Sequence, residues 1–385
     1  MPPSAAQIYD IAPPAAFDIT NDDLLPVPPA AAPAVAAAAP RYEGLALVRM
    51  VAAFFVTLNH TTYAGLKNAP QDVSNFVAMV NDMGWRVPFF LLLSGFLFAR
   101  STQDKSAEKL QGQCSKSARR VLVLLLGWSA LYLLNPPLKP LLQWDVPAII
   151  QHYSSFIKTS WPNMLWEGPA YHLWFLVSMT MVWLFLGWLG RMWPGLRGLV
   201  NDRTAKPLLC STLVMLVSGT VAWHMPSKPA SAAGQLLEVL VVHLVFPCSF
   251  VLVGAALWQR RHWLTKPVLI AAMLVLGTLL MMSEPILGLR LDGPGPRSLG
   301  LGGLCLAVAA LGLGMRLPAK PLSKLWSLSP GIYCAHFLVI NRLEPLFVGM
   351  QHWSSTLVLA CAAFVVSLGL CYVLSRFEWS RRFVQ

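Results

Sequence analysis

Charge is what this chain has least of. Of its 385 residues only 12% are Asp, Glu, Lys or Arg, about half the share of a soluble globular domain. Acidic residues are scarcer still, 17 against 29 basic ones, for a net charge of +12. The seven cysteines (114, 210, 248, 305, 334, 361 and 371) include no Cys-x-x-Cys pair. That argues against a zinc site or a disulfide framework, and the thiols read as small apolar fillers. There is no Gly-x4-Gly-Lys-Ser/Thr loop, which removes the Walker-type ATPase signal. There is no Gly-x-Ser-x-Gly turn, so no serine elbow. No basic stretch precedes an apolar core at the N-terminus, so a signal peptide is not expected. No internal repeat is evident.

What the chain does have is apolar length. It is 56% hydrophobic, with a mean hydropathy of +0.57. About 20 mostly apolar residues are needed to cross a bilayer. About ten such segments can be read, by hydropathy alone. They are 44–64, 80–99, 119–135, 171–190, 207–223, 236–258, 267–284, 298–315, 328–348 and 354–374. The second carries Asp82 and Arg86 near its start, so its apolar core begins at Val87. The fold expected is an all-α, polytopic transmembrane bundle. Residues 1–40 differ in being rich in Pro and Ala. They are expected to be a disordered extension, cytoplasmic like the N-terminus, ahead of a membrane domain over 41–385.

The basic residues lie between the apolar runs rather than on one face, which sets aside nucleic acid as a partner. With the N-terminus inside, the inner side holds twenty of them and the outer side eight; Arg49, within a span, completes the 29. The positive-inside rule then places both termini in the cytoplasm of a multi-pass protein of the cell inner membrane. The longest outer connection, about 136–170, carries Trp144, Trp161 and Trp166. It is expected either to cover the outer mouth or to form an interfacial aromatic belt.

Two ionisable residues interrupt the first span. Arg49 and His60 stand eleven positions apart. At 100° per residue they fall about 20° from eclipsed, on one helix face and about 16.5 Å apart along the axis. Ionisable groups inside a bilayer are costly and usually face a bundle interior or a wet cavity. Read separately, Arg49 could snorkel to lipid phosphate and His60 could be interfacial; a shared face favours a site.

Arg-x10-His in a first span resembles the signature of the acyltransferase-3 family of polytopic membrane acyltransferases. Val87–Phe98 (VPFFLLLSGFLF) is similar to that family's second span, and Tyr171–Leu176 (YHLWFL) to its His-Leu-Trp-Phe segment. Ser329–His336 (SPGIYCAH) resembles its late segment, and Arg376-Phe377-Glu378 echoes its closing stretch. The likeness runs in order over about 41–380, nearest to compact bacterial members that O-acetylate surface polysaccharides. One departure is that Lys116-Ser-Ala-Arg119-Arg120 continues into Val121 without the proline that often follows the basic run. Another is that no hydrolase-like domain follows.

The resemblance implies acyl transfer from acyl-CoA, most simply acetyl-CoA, to a hydroxyl of a polysaccharide or its lipid-linked precursor. A sugar hydroxyl needs a base, and an imidazole with a pKa of about 6.5 suits that task. His60 could equally carry the acyl group itself. His172 starts the fourth span on the outer side, where it either faces His60 or belongs to an aromatic belt. Arg49, Lys116, Arg119 and Arg120 are the candidates for the donor's phosphates, although Arg119 and Arg120 serve equally as topology determinants. Trp174, Tyr333 and His336 are candidate substrate contacts, with packing or structural hydrogen bonding as the alternative for each. Ser94-Gly95 is expected to permit close helix approach. Glu238 and His243 share a helix face poorly and are left outside the site. No metal and no permanently bound cofactor is expected; acetyl-CoA, the sugar acceptor and membrane lipids are the partners. The competing readings are a proton-coupled secondary transporter and an inactive relative acting in polysaccharide export.

Overall fold

The computed structural model describes residues 43–63, 84–103, 106–136, 138–193, 195, 198, 202–225, 231–286, 301–317, 327–347 and 353–384. The Pro/Ala-rich stretch 1–40 and the start of the second predicted span lie outside them. Among the described residues every regular element is helical and none is a strand.

Helix α1 spans Glu43–Tyr63, α2 Arg86–Thr102 and α3 Ala107–Leu133. The third is longer than the apolar segment that predicts it, because its first three turns are mostly polar and bury only one stripe, Leu110, Cys114 and Ala118, in the core. The connection expected over 136–170 is itself largely helical: α4 runs over Val146–Glu167. Asp145 starts it by accepting a hydrogen bond from the Ala148 N–H at 3.1 Å, an N-cap that the hydropathy pattern hides. Trp144 is 84% exposed; the side chains of Trp161 and Trp166 lie outside the described residues. Gly168 ends α4 with φ 76° and ψ −179°, a conformation open essentially to glycine alone. That turn delivers Tyr171–Leu173, a single 3-10 turn, into α5 (Trp174–Met192).

Four further helices follow. They are α6 (Lys206–His224), α7 (Ala232–Gln259), α8 (Pro267–Ile286) and α9 (Gly303–Arg316). Inside α7, Val239–Val245 is wound as a π-helix. The remainder are α10 (Ser329–Leu343), α11 (Trp353–Ser375) and the short α12 (Glu378–Arg381). Among the described residues, four stretches are both long and apolar enough to cross a bilayer: Gly44–Thr61, Tyr171–Met192, Ala232–Gln259 and Trp353–Ser375. Lys206–Ala222, Pro267–Met281 and Gly303–Arg316 are apolar but shorter.

The outward faces are apolar as well. Leu209, Leu213 and Val217 on α6, Val268, Val275 and Leu279 on α8, and Val365 and Val373 on α11 are all exposed. Such faces are stable against lipid and not against water. The interior is close-packed around Phe89, Phe96, Trp128 and Phe250, each essentially inaccessible. Helices α2 and α7 approach most closely, through facing glycines. A Cβ on Gly95 would overlap the Val251 carbonyl, and one on Gly254 the Leu92 carbonyl. This is the close approach expected of Ser94-Gly95, since small residues bring helix backbones together where lipid supplies no hydrophobic drive.

Candidate active site

The same-face arithmetic for Arg49 and His60 is realised in contacts with one partner helix. His60 stacks on His336 of α10, ring centroids 5.0 Å apart. Arg49 lines a cavity with Ser329 and Tyr333 of the same helix. Helices α1 and α10 therefore run in parallel. Arg86 of α2 lies beside Asn59, and Ser101 at its far end lies in the Arg49 cavity, so α2 runs the opposite way.

Around His60 the chain assembles three imidazoles. His172 is 6.0 Å from His60 and 5.1 Å from His336, centroid to centroid. His172 and His336 are fully buried, while His60 is partly accessible and Tyr171 beside it is exposed. The cluster thus opens toward the Tyr171 end. The Tyr171 hydroxyl lies 2.6 Å from His60 Nδ1.

The protonation pattern of the two buried imidazoles follows from their neighbours. Tyr132 donates its hydroxyl proton to the Cys334 carbonyl at 2.8 Å and accepts the Leu338 N–H at 3.0 Å. His172 Nε2 lies 3.2 Å from that same hydroxyl oxygen and 3.3 Å from the Cys334 carbonyl. Both are acceptors, so Nε2 carries the proton and Nδ1 is the bare nitrogen. His336 Nδ1 faces the Ile332 carbonyl at 3.3 Å, which leaves its Nε2 bare. Those two bare nitrogens are buried without a hydrogen-bond partner among the described residues. An unmet buried acceptor costs about 1–3 kcal/mol. The cluster is therefore primed for a hydrogen-bond donor, such as a hydroxyl. No group of three or more His, Cys, Asp or Glu among the described residues is arranged to hold a metal ion.

Beneath the imidazoles lies a cavity of about 340 Å³. Phe90, Phe175 and Tyr333 form its upper wall, with ring separations of 5.4–6.2 Å. The Tyr333 hydroxyl donates to the His172 carbonyl at 2.7 Å, which ties this wall to the cluster. The sides are mostly apolar, from Leu93, Leu97, Leu176 and Met179. At the lower end stand Arg49, Arg120 and Arg382. A second basic pocket of about 540 Å³ adjoins them, lined by Lys116, Arg119, Arg120, Arg381 and Arg382. No carboxylate lines either cavity among the described residues.

The expected residues thus fall into two groups. His60, His172 and His336 come together, and Arg49, Lys116, Arg119 and Arg120 gather below, with Tyr333 between. Trp174 is placed elsewhere. Its ring contacts are Phe175 and His243, and His243 Nδ1 lies 3.0 Å from the Ser178 hydroxyl, a second polar patch beside the π-helical segment. Ser94 gives its hydroxyl proton to the Phe90 carbonyl at 2.7 Å. Four residues at the site escape the sequence reading: Tyr171, Tyr132, Arg86 and Arg382. Arg86 reads as an outer-loop charge, yet it is buried, with Nη1 3.2 Å from the Phe55 carbonyl and Nη2 3.2 Å from Asn59 Oδ1, one turn and one residue before His60. Its place just before the apolar run Val87–Phe98 is the only signal that could have found it.

Apolar helices enclosing a buried imidazole cluster and a basic cavity define a membrane protein with polar groups in its core. The family model described as an acyltransferase domain matches residues 42–376, and the chain belongs to this acyltransferase-3 family. It is, in general terms, a membrane acyltransferase. Residues 377–385 lie beyond the match. No curated protein and no solved structure matches the chain.

Proposed function

We propose that the protein is an integral O-acetyltransferase of the cell inner membrane, with about ten spans and both termini in the cytoplasm. It takes the acetyl group from cytoplasmic acetyl-CoA and passes it to a hydroxyl of a surface polysaccharide or its lipid-linked precursor. The observation that carries this reading is the stacking of two environments along one helix face. A basic cavity at Arg49, with no carboxylate among its described lining residues, suits a phosphorylated donor, and an imidazole cluster at His60, open at Tyr171, suits a hydroxyl acceptor. A transporter has no evident use for that polarity.

In this mechanism Arg49, Arg120 and Lys116 hold the donor's phosphates by charge-assisted hydrogen bonds. The pantetheine arm follows the apolar walls upward, and the layer of Phe90, Phe175 and Tyr333 parts to admit the thioester. His60 is the base. With Nδ1–H donated to the Tyr171 oxygen, Nε2 takes the acceptor hydroxyl's proton as the acceptor oxygen bonds to the acetyl carbon. The carbon–sulfur bond then breaks, and the departing thiolate recovers that proton from the His60 imidazolium. The bare His172 and His336 nitrogens receive hydrogen bonds from the acceptor and hold it against His60.

The test is acetyl-CoA binding and acetyl transfer by the purified protein in detergent. His60→Ala is expected to lower transfer by about 10²–10⁴-fold, the usual worth of general base catalysis, while CoA still binds. Arg49→Ala is expected to weaken CoA binding. Transfer by His60→Ala at the wild-type rate would refute the mechanism, and a wild-type protein that binds no acyl-CoA would favour the transporter.

A further inference from the structure

We propose that the C-terminal tail is a working part of the polyphosphate site. Arg382, assisted by Arg381, would bind the phosphates of the donor together with Arg120. This rests on the reading of the lower cavity as the donor site.

The tail is bound into the bundle rather than trailing from it. After α11 the chain turns at Arg376–Phe377 and forms α12. Trp128 of α3, itself fully buried, donates its indole N–H to the Phe383 carbonyl at 2.7 Å. The Phe383 ring fills the space that Gly127 leaves open. Val384 is inaccessible, seated where a Cβ on Gly331 would meet it at 2.9 Å. Ser380 is buried as well. These anchors reach α3 and α10, the helices that carry Arg120 and Tyr333.

Held in this way, Arg382 lines both cavities, as Arg120 does. Its guanidinium has no carboxylate partner among the described residues. Arg381 gives its Nε–H to the Ser375 carbonyl at 3.2 Å and lines the outer pocket with Lys116 and Arg119. Five basic side chains and no described carboxylate line the outer pocket, and a multiply charged phosphate group can engage several of them together. The four anchors hold Arg382, which is itself exposed, at the edge of both cavities.

The experiment measures binding of CoA, of pantetheine (the same arm without phosphates) and of inorganic pyrophosphate to the full-length protein in zwitterionic nanodiscs. Arg382→Gln is expected to weaken CoA and pyrophosphate about tenfold, the scale of one charge-assisted hydrogen bond, and to leave pantetheine unchanged. Arg382→Lys should retain most of the affinity. Arg382→Met, which keeps the aliphatic stem, repeats the test if the Gln variant fails to fold. Unchanged CoA affinity in Arg382→Gln overturns the proposal, and so does an equal loss for pantetheine, which would make the tail a packing element. Phosphatidylglycerol is then added to the discs. If it displaces CoA from the wild type but not from Arg382→Gln, the arginine serves a lipid headgroup and the proposal falls. Pyrophosphate binding that depends on Arg382, without any CoA binding, would uphold the tail's role and refute the donor assignment instead.

Discussion

At the scale of single residues the site is governed by which nitrogen holds a proton. In the proposed mechanism His60 acts as a base through Nε2, with Nδ1–H held by the Tyr171 oxygen 2.6 Å away. Tyr171→Phe keeps the ring that packs against Phe337 at 5.1 Å and removes that acceptor. We expect kcat to fall about tenfold, the effect of losing about 1.4 kcal/mol at the transition state, with CoA affinity unchanged. Steady-state kinetics with saturating donor would show it, and an unaltered kcat would leave Tyr171 a packing residue. The pH profile has a definite sign as well. A base must be neutral to act, so kcat/KM should decline once pH falls below the pKa of the base within the bundle. A rate that instead rises as pH falls would argue against a base that must be neutral. Arg86 is a residue of another kind. Its hydrogen bonds to the Phe55 carbonyl and Asn59 hold α2 against α1 at the level of His60. Replacing it with Met should cost about 1.5–3 kcal/mol of stability, the worth of hydrogen bonds to a charged group, measured as a lowered unfolding midpoint in detergent.

At the scale of elements three glycines set the geometry. Gly168 holds the turn that presents Tyr171 and His172, at φ 76°. A side chain there costs about 1–3 kcal/mol of backbone strain. Gly168→Ala should therefore shift the 3-10 turn and reduce transfer while leaving the donor cavity, and so CoA binding, intact. Gly95 and Gly254 are packing positions. Gly95→Ala forces the α2 and α7 backbones apart, a change of the overpacking type that costs about 1–3 kcal/mol. It should lower thermal stability in detergent before it alters the donor's affinity; unchanged stability would mean that the two helices are free to separate. The π-helical stretch Val239–Val245 shows how an element alters a sequence reading. Helical spacing sets Glu238 and His243 apart, but winding at i→i+5 changes where each side chain points. His243 reaches Ser178 on α5, a contact that straight α-helical counting does not anticipate.

At the scale of the whole molecule the bundle separates two chemistries by depth. Arg49 and His60 mark the two levels on α1, and α2, α3, α5 and α10 each contribute to both. The proposed orientation makes the Arg49 level cytoplasmic. In a background lacking the native cysteines, single cysteines at Lys116, in the polar first turns of α3, and at Trp144, beyond its other end, should then react with membrane-impermeant maleimide from opposite sides of sealed vesicles, Lys116→Cys from the inside. Labelling of both from one side would overturn the assigned topology.

Composition and periodicity were enough to establish a helical membrane protein. Apolar segments of bilayer length leave little alternative when the backbone must satisfy its own hydrogen bonds in lipid. The shared face of Arg49 and His60 was legible because both lie on one helix, where spacing fixes direction. His172 and His336 were legible as motif residues, but their meeting at His60 was not. Tyr171 comes to His60 across 111 positions, Tyr132 to Cys334 across 202, and Trp128 to Phe383 across 255. No local pattern encodes such pairings. They exist because helices distant in sequence must bury their faces against one another, and the packing that results decided which nitrogen is bare, which arginine is inside and where the tail ends. Arg86, which is buried, and Arg382, which is exposed but borders both cavities, look alike as loop charges in the sequence, since charge and spacing carry no record of placement. The tertiary structure alone made them part of the site.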